Sequence, residues 1–183
     1  MELTVRKKDL LLELHLFQGI IERKNTIPIL ANLFIQTTKD GSIKLLATDL
    51  EVGLRSRCAG TVAKEGSLTV PAKKLYEIVR ALPDTDIQIK EGAKGSVKIK
   101  ADRFSSSMQT LPQEDFPTLP ESVEGTTSVL LPRAGLAEMV NKTQFAITGE
   151  DTRYFLNGAL FMLKPGEMSL VATDGHRLAF VST

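Results

Sequence analysis

Thr173-Asp174-Gly175-His176-Arg177 is the most reactive-looking cluster in the 183-residue sequence. A carboxylate and an imidazole two positions apart have the makings of a metal-ligand set or an acid–base pair. One reading is therefore a metal-dependent hydrolase built on Asp174 and His176; a standalone peptide-binding module is another. Little else in the chain supports catalysis. The second histidine, His15, falls on a helical stretch at a surface or interfacial position, and Cys58 is the single cysteine. Neither a nucleophile elbow nor a phosphate loop is present. A second Thr-Asp, Thr48-Asp49, is followed by Leu50-Glu51 instead of Gly-His. The shared Thr-Asp thus reads as a turn in which Asp accepts nearby backbone N–H groups. Gly175-His176-Arg177-Leu178 is then the part with a task of its own, a binding surface.

Those residues sit inside a repeat. Asn32–Asp49 aligns without a gap on Asn157–Asp174, sharing Asn, Lys, Gly, Leu and the run Ala-Thr-Asp. Upstream, with a spacing one residue greater, Leu10 pairs with Leu136, Leu14 with Val140, Gln18 with Gln144 and Ile21 with Ile147. An extended match in one order marks two copies of one structural unit. The first copy reads as a strand at Leu3–Val5, then a helix with Leu10, Leu14, Phe17 and Ile21 on one face. A hairpin follows across Lys39-Asp40-Gly41, then a strand near Val52–Val62 and a short one at Leu68–Val70. A second helix carries Leu75, Ile78, Val79 and Leu82, and alternating strands run through Ile87, Ile89, Val97, Ile99, Phe104 and Met108. Between Pro112 and Pro117, Phe116 is expected to plug a core within a rigid strap. The polar, proline-bearing stretch 120–126 reads as a linker between a first domain, 1–119, and a second, 127–183. The second copy restarts with a strand at Val129–Leu131, a helix at Arg133–Ile147 and a hairpin over Asn157–Thr173. It lacks a second helix and later strands, so the chain reads as truncated. The fold class expected is α+β.

Composition narrows the functions. The 23 basic and 22 acidic residues leave a net charge of +1, which excludes binding nucleic acid by bulk basicity. Charge is nonetheless uneven: Lys73, Lys74 and Arg80 face only Glu77 in the second helix, and Arg133 and Lys142 face only Glu138 in the third. Arg6, Lys7 and Lys8 slightly outnumber Asp9 and Glu13 in the first. Alone, such an excess is a solvated helix face; gathered on one surface, it would meet phosphates. Apolar runs are too short to span a membrane, the first residues lack a secretory layout, and a lone cysteine fits the cytoplasm.

The sequence resembles the bacterial beta sliding clamps, the processivity subunits of DNA polymerase III, over their N-terminal portion. The resemblance rests on Thr26-Ile27-Pro28-Ile29-Leu30-Ala31-Asn32, Ala47-Thr48-Asp49-Leu50-Glu51, Val70-Pro71-Ala72, Thr110-Leu111-Pro112 with Asp115-Phe116-Pro117, Arg153-Tyr154, Leu156-Asn157-Gly158 and Ala172–Ala179. It implies a DNA clamp fold of repeated domains, each with two helices packed on curved antiparallel sheets. It also implies a non-catalytic, cofactor-free and metal-free protein. Full-length subunits would join head to tail as a homodimer around duplex DNA, helices lining the hole, and tether the replicative polymerase. DNA-facing residues would be Lys24, Arg153, Tyr154, Lys73, Arg80 and Lys142, with Lys24 where an arginine is usual. Leu156, Thr173, Gly175, His176, Arg177 and Leu178 would form a pocket for motifs of the polymerase alpha subunit, the clamp loader and other partners. Phe104 and Met108 would lie at the subunit interface.

Overall fold

Alternating apolar positions specify the strands, and apolar positions three and four apart specify the helices. The computed structural model describes residues 1–21, 27–38, 41–93, 95–119, 128–149 and 152–183. Lys24 and the expected linker 120–126 lie outside the described residues. The chain divides into two compact units, Met1–Glu121 and Ser122–Thr183.

The first unit runs β1 (Glu2–Arg6), α1 (Lys7–Ile21), β2 (Asn32–Thr37), β3 (Ile43–Thr48), β4 (Gly53–Cys58), β5 (Gly60–Lys64), β6 (Ser67–Pro71), α2 (Ala72–Ala81), β7 (Asp86–Glu91), β8 (Ser96–Ala101) and β9 (Phe104–Gln109). Two antiparallel sheets result, ordered β5-β1-β7-β8-β9 and β4-β3-β2-β6. Leu10, Leu14, Phe17 and Ile21 of α1 and Leu75 and Val79 of α2 join Leu3, Ile35, Leu45, Ile87 and Ile99 in one core. Helices on antiparallel sheets are the α+β architecture the periodicities call for.

Several local expectations need correction. The strand expected near Val52–Val62 is two strands in different sheets, β4 and β5. Gly60 makes the crossing possible: a Cβ there would lie 2.7 Å from the Thr4 carbonyl oxygen and 2.6 Å from Ile43 Cδ1. Just before it, Cys58 is buried, and desolvation pushes its thiol up to about 12, with Glu13 and Asp9 adding to the rise. The strap, secondly, holds no core plug. It crosses the sheet face turned away from the helices, where Phe116 stacks on Phe34 at 5.2 Å. The Leu111 carbonyl accepts the Thr69 hydroxyl at 2.6 Å, Gln113 meets Ser67, and Arg55 donates to the Leu119 carbonyl.

The second unit contains α3 (Arg133–Thr143) and a sheet ordered β10 (Leu160–Lys164), β11 (Glu167–Thr173), β12 (Leu178–Ser182). Met139 of α3 packs on Met168 and Leu170, and Ala146, Ala172 and Ala179 form a smaller cluster. The expected helix to Ile147 ends at Thr143 and passes into a 3-10 turn, Gln144–Ala146. A further correction is that Val129–Leu131 is no strand, and Leu130 is 99% exposed. Its counterpart β1 lies between β5 and β7, whereas the described strands of the second unit form one sheet, β10-β11-β12, which Val129–Leu131 does not join.

Pairing also relocates the one-residue step of the repeat. Ile35 pairs with Leu45 in the first unit, and Phe161 with Leu170 in the second. Since Leu45 and Leu170 correspond, so do Ile35 and Phe161, and the step falls in the hairpin turn instead of before it. The shorter turn, Pro165-Gly166, joins Lys164 directly to its partner Glu167.

Candidate functional site

β11 ends at Thr173 and β12 begins at Leu178; the residues between them form the candidate loop. The Thr173 hydroxyl accepts the Gly175 N–H at 3.1 Å and donates to the Arg177 carbonyl at 2.7 Å. Asp174 Oδ1 accepts the N–H groups of His176 and Arg177 at 3.0 and 2.9 Å. Gly175 adopts φ 85°. The first unit repeats this network bond for bond. Thr48 accepts Leu50 N–H at 3.0 Å and donates to the Val52 carbonyl at 2.9 Å. Asp49 Oδ1 accepts the N–H groups of Glu51 and Val52 at 3.0 and 2.7 Å, and Leu50 has φ 77°. The Thr-Asp pair is thus a turn device common to both copies.

Asp174 Oδ2 accepts Arg177 Nε at 2.9 Å, so both carboxylate oxygens have donors. The backbone N–H groups of Arg177 and His176 hold its pKa down to about 2, with the guanidinium adding to the effect. A carboxylate so engaged is a poor base and a poor partner for a metal shared with His176. Among the described residues no group of three or more metal-ligating side chains gathers anywhere.

Arg177 is one of three loop residues the two copies do not share, with Gly175 and His176; its counterpart is Val52. Its guanidinium donates to the Phe145 carbonyl at 2.7 Å and lies over the Phe145 ring at 5.4 Å. Sequence reasoning missed Phe145. The signal was available, since the repeat pairs Phe145 with Gly19, an aromatic present only in the second copy. Arg153 also reaches this loop: a Cβ on Gly175 would stand 3.3 Å from both its terminal nitrogens. Leu156 closes a 3-10 turn, Tyr154–Leu156, and is buried, its N–H donating to the Arg153 carbonyl at 2.8 Å. Leu178 is 65% exposed and Tyr154 82%. The structure therefore brings together Thr173, Gly175, His176, Arg177, Leu178 and Arg153. It places Arg153, expected to face DNA, against the loop expected to face peptides.

The other expected residues lie elsewhere. Lys73 and Arg80 are exposed on α2, and Arg80 lies over the Tyr76 ring at 5.5 Å. Lys142 on α3 pairs with Glu138 one turn earlier, which tempers its charge. On α1, Lys7 donates to the Leu82 carbonyl and Lys8 pairs with Asp84 at 3.0 Å. Met108 is turned into the core opposite Val97, whereas Phe104 on the same strand is exposed.

The architecture and the duplicated turn define a repeat protein of helix-covered antiparallel sheets. Residues 1–120 match the family model for the DNA polymerase III beta subunit, N-terminal domain, and residues 130–183 match that for its central domain. The chain belongs to the DNA polymerase III beta subunit family. It is 37% identical to the beta sliding clamp of Pseudomonas aeruginosa over 186 residues, covering 100% of this chain and 49% of that protein. Identity to the Escherichia coli beta sliding clamp is 40% over 185 residues, with 100% and 50% covered. The crystal structure of the P. aeruginosa DNA polymerase III subunit beta superposes with a TM-score of 0.91 at 37% identity, over 100% of this chain and 50% of that one. A Bartonella birtlesii sliding clamp bound to griselimycin superposes at 0.88 and 38% identity, with 100% and 50% covered. The chain spans about half the length of the curated relatives it matches.

Proposed function

We propose that this chain serves, as part of a sliding-clamp subunit, to encircle duplex DNA and hold a replicative polymerase on it without catalysing a reaction. The carrying observation is the match of both units, in order, to successive domains of the beta subunit family. Residues 1–119 and 127–183 would then be clamp domains joined by 120–126, acting in the cytoplasm as a head-to-tail homodimer in the full-length form. No described helix is long and apolar enough to cross a membrane. A ring holds DNA by topology, so its contacts can be weak and exchangeable, as phosphate contacts are. The exposed Lys73 and Arg80 of α2 suit that task, with Lys24, Arg153, Tyr154 and Lys142 as further DNA-facing residues.

The loop Thr173–Leu178 with Leu156 would receive short apolar motifs of the polymerase alpha subunit, the clamp loader and other partners. Two exposed features support this: Leu178 offers apolar area, and Arg177 is braced by Asp174 and Phe145.

Duplex binding measured across a salt series tests the DNA proposal. Replacing Lys73 and Arg80 with Ala should weaken binding equally on unrelated sequences and flatten the log–log salt slope by about 0.9 for each phosphate no longer neutralised. Weakening confined to one sequence would contradict a sliding role.

A further inference from the structure

On the sheet face away from the helices, the first unit holds a cavity of 520 Å³ lined by Gln36, Lys44, Leu46, Arg55, Ser56 and Arg57. The register sets Lys44 directly opposite Arg57, and Leu46 opposite Arg55. Directly opposed residues stand about 5 Å apart at Cα, and like charges so placed destabilise a sheet. Among the described residues neither Lys44 nor Arg57 is paired with a carboxylate.

The second unit provides an internal control. At the same cross-strand position it has Ser169 opposite Ser182, whose hydroxyl oxygens stand 3.3 Å apart and both donate to Glu167 Oε1, at 3.0 and 2.9 Å. Phe180 occupies the position of Arg55. The fold is therefore built without these cations in one copy and with them in the other. A pair that costs stability and is not required by the architecture has another use.

We propose that this groove docks an acidic peptide segment of a protein partner. The Arg57 guanidinium is shaped to grip a carboxylate through two parallel N–H groups, and Lys44 adds a point charge to the same anion. The half-buried Leu46 gives the cavity an apolar floor for one aliphatic side chain beside the acid. Arg55, already donating to the Leu119 carbonyl, contributes field. Duplex DNA suits the site less well. Two cations converge here on one anionic group, whereas a duplex requires a row of cations matched to successive phosphates. The surface is separate from the helix faces proposed for DNA.

The test uses the whole chain, a fluorescein-labelled peptide Glu-Asp-Leu-Glu-Glu, and its amide analogue Gln-Asn-Leu-Gln-Gln at low salt. Expected are binding of the acidic peptide and affinity at least about tenfold weaker for the amide peptide. Lys44→Ser with Arg57→Ser, which copies the second unit, should weaken the acidic peptide about tenfold. Lys98→Ser with Lys100→Ser, on the other sheet, should leave it unchanged. The serine pair should also keep or raise the melting temperature, since repulsion is relieved; a lower one would make Lys44 and Arg57 structural and overturn the proposal. So would failure of the acidic peptide to bind, equal affinity for the amide peptide, or undiminished binding by the serine variant. Duplex DNA bound in the peptide's place, and released by the same substitutions, would assign the groove to phosphate and equally overturn it.

Discussion

Two residues at one turn position separate what folding needs from what function adds. Leu50 and Gly175 both occupy left-handed backbone, at φ 77° and 85°. A side chain there costs about 1–2 kcal/mol. Leu50 is 59% exposed and gains little from burial in return. Leu50→Gly should therefore stabilise the first unit by up to about 1 kcal/mol, the strain relieved outweighing glycine's extra unfolded-state entropy; a shift of the urea midpoint to lower concentration would refute this. At Gly175 the same freedom lets the Arg153 guanidinium approach closely. Asp174 beside it sets a pH limit. Its folded-state pKa of about 2 lies below the ordinary carboxylate value, so its contribution is complete above pH ~4 and is lost as pH falls through 2. The side-chain carbon shift of Asp174, followed by NMR, should titrate near pH 2, and a midpoint near 4 would show that the turn bonds do not hold the charge. The sequence told that Thr-Asp was a turn, because the motif occurred twice in different company. It did not tell that Arg177 braces on Phe145, since that interaction joins segments 32 positions apart.

At the scale of elements, the amphipathic patterns were sufficient for α1, whose four buried apolar residues are those the spacing selected. Pattern alone did not separate β4 from β5, because a strand leaving one sheet and entering another continues to alternate. The marker was Gly60, where β5 passes close to the β1 backbone. Gly60→Ala would force its methyl within 2.7 Å of both the Thr4 carbonyl oxygen and Val5 Cγ1. Backbone cannot swing aside as a side-chain tip can, so destabilisation of about 1–3 kcal/mol is expected by chemical denaturation. A variant as stable as the parent would mean that the crossing is loosely packed. The strand misread at Val129–Leu131 has the opposite origin. Its sequence has the apolar character, but a strand exists only through its partners, and pairing is not written in the segment itself. Likewise Phe116 was recognised as an anchor, yet its platform, Phe34, faces away from the core, and a single sequence does not say which face a strap will cross.

For the molecule as a whole, duplication of one unit does not imply equal stability of the copies. In the first, residues from two helices and two sheets share one continuous core. In the second, burial is split between Met139, Met168 and Leu170 and a trio of alanines, while Leu160, Leu178 and Phe180 are each more than half exposed. Apolar burial near 25 cal/mol per Å² is the main term opposing chain entropy, and alanines contribute little of it. The second unit should therefore open more readily than the first. Amide hydrogen exchange checks this: amides of β2, β3 and β7 should outlast those of β10–β12 by at least about tenfold in rate, a difference of about 1.4 kcal/mol in opening free energy. The same measurement bears on the proposed pocket. A ligand that binds only the folded second unit stabilises it by mass action. A short apolar peptide of the kind proposed for this pocket is expected to slow exchange at β11, the Thr173–Leu178 loop and β12 while leaving β7 and β8 unchanged. Protection spread equally over both units, or confined to the first, would place the binding surface elsewhere. No protection at all would mean that Leu156, Arg177 and Leu178 do not by themselves make a site, however well the turn presents them.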